Sequence, residues 1–160
     1  MKTPALFGLV LLLPPFAIVA DEKPELVYSA SIYDPARDVE ADLAGAQKLA
    51  AAENRRILLV AGGNWCPWCR AISAYFESNE AVLAILAEAY VIQKVNVSDE
   101  KSNTSFLNPF PAIRAYPHFF VLDDKGELLV SADTGPFESG RGYDEAKMVA
   151  FFEKWRSEKP

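Results

Sequence analysis

Cys66 and Cys69 are the only cysteines in the 160-residue chain, three positions apart in Trp65-Cys66-Pro67-Trp68-Cys69. Disulfide exchange needs an attacking thiolate that is reasonably exposed and a second thiol close enough to displace the mixed disulfide. A cysteine in the first turn of a helix meets the first need, because the unpaired amides and the positive dipole end favour an anion there. A partner three residues on, about one turn away, meets the second. Cys66 is therefore the expected nucleophile, and Cys69, further into the helix and less exposed, the resolving thiol. A structural staple explains the pair less well, since closing so short a loop removes little unfolded-chain entropy. Copper(I) handling is the alternative chemistry, because soft thiolates suit that ion. The chain offers few further soft ligands for it, only His118 and a Met148 that falls on a core stripe. Tetrahedral zinc needs four good ligands, and there is no second cysteine pair or histidine cluster. No metal is expected, and no cofactor beyond the Cys66–Cys69 disulfide itself.

The flanking pattern predicts the elements that position this pair. Residues 57–61 (ILLVA) form an apolar run too short for a helix and suited to a strand buried on both faces. Gly62 and Gly63 end it, and Pro67 takes a favoured position at a helix start. Cys69, Ile72 and Phe76 share one face of that helix, and Asn79 breaks it. Val82, Ile85, Leu86 and Ala89 give the next helical stripe, and residues 91–97 the next strand. Residues 119–122 and 128–131 flank Asp123, Asp124, Lys125 and Gly126, a hairpin signal. Met148, Phe151, Phe152 and Trp155 define a closing amphipathic helix. Upstream, Val39, Leu43, Ala46 and Ala50 mark a helix over residues 39–53, while the polar residues 21–38, with Pro24 and Pro35, read as an extended lead-in with little regular structure. An early strand–helix–strand unit followed by a hairpin implies an α/β fold with a mixed central sheet flanked by helices. Cys66 then stands at a strand's carboxyl end, where open α/β sheets place their chemistry.

Length and composition bound the rest. The chain suffices for one domain with a real core, and half of it is apolar. Residues 1–20 carry one lysine ahead of an apolar run, interrupted by Pro14 and Pro15 and followed by an acidic stretch. They read as a secretory signal peptide, with an uncleaved anchor the other reading. The run falls short of the roughly 20 clean apolar residues that suit a span. The protein is accordingly expected to be exported, to a periplasm. Its formal charge is −6, or −7 once Lys2 leaves with the signal, which argues against nucleic acid and anionic membrane surfaces as partners. A monomer is the expectation.

Residues from about 39 to 157 resemble the thioredoxin superfamily. WCPWC after a buried strand carries the resemblance, supported by Lys94-Val95-Asn96 at the end of the next strand and by Tyr116-Pro117 before FFVLD. The leading helix and the YPHFFVLDDKGELL segment look most like small exported bacterial thioredoxin-like proteins. The resemblance implies a thioredoxin-like domain over residues 39–160 and a thiol–disulfide oxidoreductase acting on protein thiols and disulfides. It implies a cis Pro117, which with Tyr116 helps form the substrate groove; the residue pattern alone gives an edge or turn proline in trans. Three departures bear on sub-function. The buried aspartate that thioredoxins carry six positions before the first cysteine is here Val60, so another group or water must serve Cys69. The Pro67-Trp68 dipeptide is closer to glutaredoxin and periplasmic oxidase patterns. Tyr116 is bulkier than the family's usual residue and narrows the groove. Trp65 reads as structural, covering the sulfur, and Trp68 as meeting the substrate. With Trp65 and Pro67, Lys94 is a candidate modulator of the pair, or else a solvated strand-end charge. His118 reads as a packing residue. The expected role is a reductant or electron carrier fed by a membrane donor. A redox-inactive binding module of the same fold is a further alternative.

Overall fold

Two near-continuous apolar segments build the centre of the sheet, as strands buried on both faces require. The computed structural model describes residues 23–158, so residues 1–20, read as a signal peptide, lie outside the described residues. In chain order the elements are β1 (Val27–Ala30), α1 (Val39–Glu53), β2 (Arg56–Gly62), α2 (Pro67–Ser78), α3 (Glu80–Ala89), β3 (Tyr90–Asn96) and α4 (Thr104–Leu107). There follow β4 (His118–Leu122), β5 (Leu128–Asp133), a short 3-10 turn (Gly135–Phe137), β6 (Glu138–Ser139), β7 (Gly142–Tyr143) and α5 (Glu145–Trp155). The main sheet has the order β1-β3-β2-β4-β5. Its first three strands are parallel, and β4 and β5 run antiparallel to their neighbours. β6 and β7 form a separate two-stranded ribbon.

Strand alternation divides the core into two layers. Leu58, Val60, Ile92, Phe119 and Val121 face α2, α3 and α5, meeting Ile72, Phe76, Leu86, Met148 and Phe152. Ile57, Leu59, Val91, Phe120 and Leu122 face the other way, onto Ala46 and Ala50 of α1 and onto Phe106. Phe76, Phe119 and Phe152 are fully enclosed and in ring contact with one another. Burial of each such ring contributes about 1.5–3 kcal/mol, so this layer anchors the helix that bears the cysteines.

Local chemistry sets the helix ends. Asp38 caps α1 by accepting the amides of Glu40 and Ala41, each at 3.1 Å. Asn54 closes it with φ 52°, the left-handed geometry asparagine tolerates. Asn79 serves two helices at once: its amide donates to the Tyr75 carbonyl at 2.9 Å, and its side chain accepts the Val82 amide at 3.0 Å. The expected break at Asn79 is thus a shared cap, after which the chain starts a new helix directly.

One sequence expectation is corrected here. The segment 21–38 is not without regular structure, since β1 lies within it and pairs with β3 through Val27↔Val91 and Tyr28↔Ile92. A four-residue edge strand with only Ala30 fully buried shows no alternation for pattern reading to find. Pairing with β3, supplied by the fold, makes it a strand.

Candidate active site

β2 ends at Gly62, and a three-residue turn delivers the chain to Cys66, the N-cap of α2. Cys66 has the extended backbone of a cap (φ −89°, ψ 115°), and Pro67 fills the first helical position, where no amide is needed. The Cys66 sulfur does what a serine or aspartate cap does, accepting the Cys69 amide at 3.2 Å. On its other side the same sulfur lies 3.6 Å from the Tyr116 carbonyl oxygen. The Tyr116–Pro117 peptide bond is cis, and Pro117 is buried, its carbonyl accepting from the Thr134 hydroxyl at 2.8 Å. Both cysteines are free thiols.

The two sulfurs have unequal surroundings. Cys69 is wholly buried, and burial pushes its thiol well up, with the hydrogen bond to Cys66 adding to the effect. Cys66 is 4% exposed. The sequence required a reasonably exposed nucleophile, whereas the Tyr116–Pro117 segment and the first turn of α2 close over it, so a client disulfide must reach a recessed sulfur. Among the described residues, no group of three or more His, Cys, Asp or Glu side chains is placed to hold a metal ion.

The tryptophans exchange the positions expected of them. Trp65 is 56% exposed; its Nε1–H donates to the Val97 carbonyl at 2.7 Å, and its ring stands edge-on to Tyr116 at 5.6 Å. Trp68 turns inward, edge-on to Tyr143 at 5.6 Å, with the Tyr143 hydroxyl donating to the Trp68 carbonyl at 3.3 Å. Trp65 therefore forms a wall on the surface beside the sulfur, and Trp68 packs. A groove of about 780 Å³ runs along the outer side of Trp65, bordered by Asn64, Val97, Asp99 and Glu100. A second, of about 420 Å³, runs beyond Tyr116 past Val97, Phe110 and Ile113.

Lys94 is not a solvated strand-end charge. It pairs in register with Val60, is half-buried on the cysteine-bearing face, and its Nζ lies 5.8 Å from the Tyr28 ring centroid and 5.6 Å from that of Tyr33. Burial lowers its pKa, and Glu77 partly restores it. His118 is buried in β4 on the opposite layer, with Nε2 2.8 Å from the Ser131 hydroxyl and a pKa lowered by burial.

Two residues of the site carried no sequence signal. Tyr33 comes from the lead-in and Tyr143 from the small ribbon. Each reaches the dithiol only through tertiary folding. Gly62 was read only as a strand terminator, but a Cβ there would stand 2.5 Å from the Cys69 sulfur and 3.2 Å from the Tyr33 hydroxyl oxygen.

A recessed cysteine capping a helix, a buried second thiol one turn on, and a cis prolyl bond across from them, at the end of a parallel strand in a mixed sheet, define the class: a thioredoxin fold bearing a paired-thiol site. The chain belongs to the thioredoxin-like family, whose sequence model matches residues 38–124. It is 27% identical over 96 residues to the thiol:disulfide interchange protein DsbD of Actinobacillus pleuropneumoniae serotype 5b (strain L20), a match covering 59% of this chain and 16% of that protein's length. Among solved structures it resembles a disulphide isomerase from Xylella fastidiosa Temecula1, with a TM-score of 0.65 and 23% identity, over 76% of this chain and 94% of the other. A thioredoxin from Thermus thermophilus is similar at a TM-score of 0.51 and 18% identity, over 81% and 85% of the two chains.

Proposed function

We propose that this protein exchanges thiols and disulfides on exported protein substrates through Cys66 and Cys69, as a reductant or electron carrier. The observation that carries this reading is the Cys66 sulfur, held at the N-terminus of α2 by the Cys69 amide and facing the Tyr116 carbonyl across the cis bond. The helix end and the donated amide favour the negative charge that this sulfur carries when it attacks. The thiolate attacks one sulfur of a client disulfide; that bond breaks, and the other client sulfur leaves and takes up a proton. Cys69 then attacks the Cys66 sulfur of the mixed disulfide, releasing the second client thiol. Two electrons have passed to the client, and the Cys66–Cys69 disulfide remains. Trp65, Tyr116 and Pro117 supply the surface against which the client strand lies, with Trp65 taking the contact role first given to Trp68.

The thiol:disulfide interchange protein named above supports the exchange reading by its name. Export rests on residues 1–20, and mass spectrometry should find a mature chain beginning near Asp21. An exported reductant has no direct access to electrons inside the cell, so a donor spanning the membrane is the partner this reading calls for. The test of the reading is a trapping experiment. Cys69→Ala should accumulate clients covalently on Cys66, whereas Cys66→Ala should trap few and reduce none. Trapping on Cys69 in place of Cys66 would overturn the assignment.

A further inference from the structure

Tyr33 is 5% exposed, yet its hydroxyl has no hydrogen-bond partner in the reduced protein. Buried hydroxyls are rarely left so, because the lost hydrogen bonds to water are not replaced. The hydroxyl oxygen lies at the end of β2, where Gly62 leaves room. The point a Cβ of residue 62 would occupy lies 3.2 Å from Tyr33 Oη and 2.5 Å from Cys69 Sγ, so the two polar atoms share one small space. The Tyr33 ring lies beneath the Lys94 ammonium, 5.6 Å from its centroid. Val60, in register with Lys94 and 2% exposed, brings no polar group to this place.

We propose that Tyr33 assists the second half of exchange, its hydroxyl donating a hydrogen bond to the Cys69 sulfur as that sulfur becomes the attacking thiolate. The proposal rests on the reading of Cys69 as the resolving thiol and adds the group that sustains its charge. In the step, the Cys69 proton passes to the client sulfur released by the first attack. The Cys69 sulfur forms its bond to Cys66 while the Cys66–client bond breaks, and the second client sulfur leaves with the electron pair. Tyr33 keeps its own proton throughout, since burial holds its pKa well above the usual tyrosine value, helped by the charges of Cys69 and Cys66. A donor without a partner in the thiol state finds one in the thiolate state, so its effect is confined to the reacting form. Burial raises the Cys69 pKa, and the Tyr33 hydroxyl acts against it. Lys94, above the ring, adds positive potential from β3. The other titratable groups around this sulfur are Cys66 on α2, Tyr116 before β4 and Tyr143 on β7.

The test uses Tyr33→Phe, which removes one oxygen and keeps the ring. The Cys69 titration is followed by the Cβ chemical shift of carbon-13-labelled cysteine in a Cys66→Ala background, which needs no client. Tyr33→Phe should raise the Cys69 midpoint by about one pH unit or more, the tenfold effect of a hydrogen bond to an ionised partner. The lifetime of a mixed disulfide between Cys66 and a model peptide should lengthen by a similar factor in otherwise wild-type protein. The melting temperature of the reduced protein should not fall, because no hydrogen bond is lost in that state. An unmoved Cys69 midpoint overturns the proposal, and so does a lowered melting temperature with an unmoved midpoint, which would make the hydroxyl merely structural. A shifted midpoint with no trapping in Cys69→Ala would instead overturn the resolving role and leave the Tyr33–Cys69 contact standing.

Discussion

Gly62→Ala puts the packing around the resolving thiol to a quantitative test. The added methyl would lie 2.5 Å from Cys69 Sγ, 3.2 Å from Tyr33 Oη and 3.4 Å from Cys69 Cβ. Cys69 is fully buried and Tyr33 nearly so, so neither can swing into solvent to make room. Overpacking of this kind costs about 1–3 kcal/mol. Gly62 is not in the left-handed region, so alanine returns about 0.4–1 kcal/mol by restricting the unfolded chain. The net loss is about 1–2 kcal/mol, a fall in Tm of about 3–8 °C for a domain of this size. The same substitution at Gly45, inside α1 with nothing within 4 Å of the new methyl, should stabilise by about 0.5–1 kcal/mol. Thermal unfolding of the reduced proteins by circular dichroism reads both signs. Gly62→Ala should also slow resolution of a mixed disulfide, because the displaced sulfur loses its line of attack. If Gly62→Ala melted within about 1 °C of the parent and resolved at the parent rate, the close packing at Cys69 would be refuted.

At the neighbouring glycine the outcome differs. A Cβ at Gly63 would overlap Trp65 Nε1 and lie 2.6 Å from its Cδ1 and 3.0 Å from the Val97 carbonyl oxygen; the surface indole can turn away, but the backbone oxygen must shift slightly. Gly63→Ala should cost about 1–2 kcal/mol and break the indole bond to Val97, visible as a shift of the Trp65 indole N–H resonance and as weaker client docking. The pH dependence of the reduced protein should carry the mark of Cys69. Its thiol holds its proton more tightly folded than unfolded, so the associated stability is fully present below the unfolded thiol value of about 8.5 and is lost as pH rises toward the raised folded value. Between about pH 8.5 and 10, denaturant titrations should show a loss of roughly 1 kcal/mol in the parent that Cys69→Ala lacks. Asn79→Ala, which removes the side-chain cap of α3 and leaves the backbone bond to Tyr75, should cost about 1 kcal/mol, and Asn79→Ser should recover most of it; equal stabilities for the two variants would deny the side chain its capping role.

What the sequence made legible was local. The strand over 57–61, the helix opened by Pro67 and the stripe of Cys69, Ile72 and Phe76 follow from periodicity and turn chemistry acting within a dozen residues. The pair of thiols was legible for the same reason. β1 was not, because four edge residues become a strand only when β3 is there to accept them. Nor was the exposure of Trp65 and Trp68. Both sit at the start of one helix, and which one turns inward is decided by the Val97 carbonyl on one side and by Tyr143, 75 positions away, on the other. Tyr33 was invisible for that reason too. Val60 stands where thioredoxins carry an aspartate, and the group proposed to serve in its place comes from a distant part of the chain, where no spacing rule reaches.

The disposition of the aromatic rings also gives the protein an optical signal of its own. A disulfide quenches the fluorescence of an adjacent indole, and of the chain's three tryptophans Trp65 immediately precedes Cys66 and Trp68 lies between the two cysteines. The third, Trp155, lies at the far end of α5 against Lys154. Emission should therefore brighten on reduction against a constant background from Trp155. Because Trp65 faces solvent beside the groove and Trp68 is half-buried against Tyr143, a water-soluble quencher should separate their contributions. Electron transfer into and out of the pair can then be followed in real time with no added label.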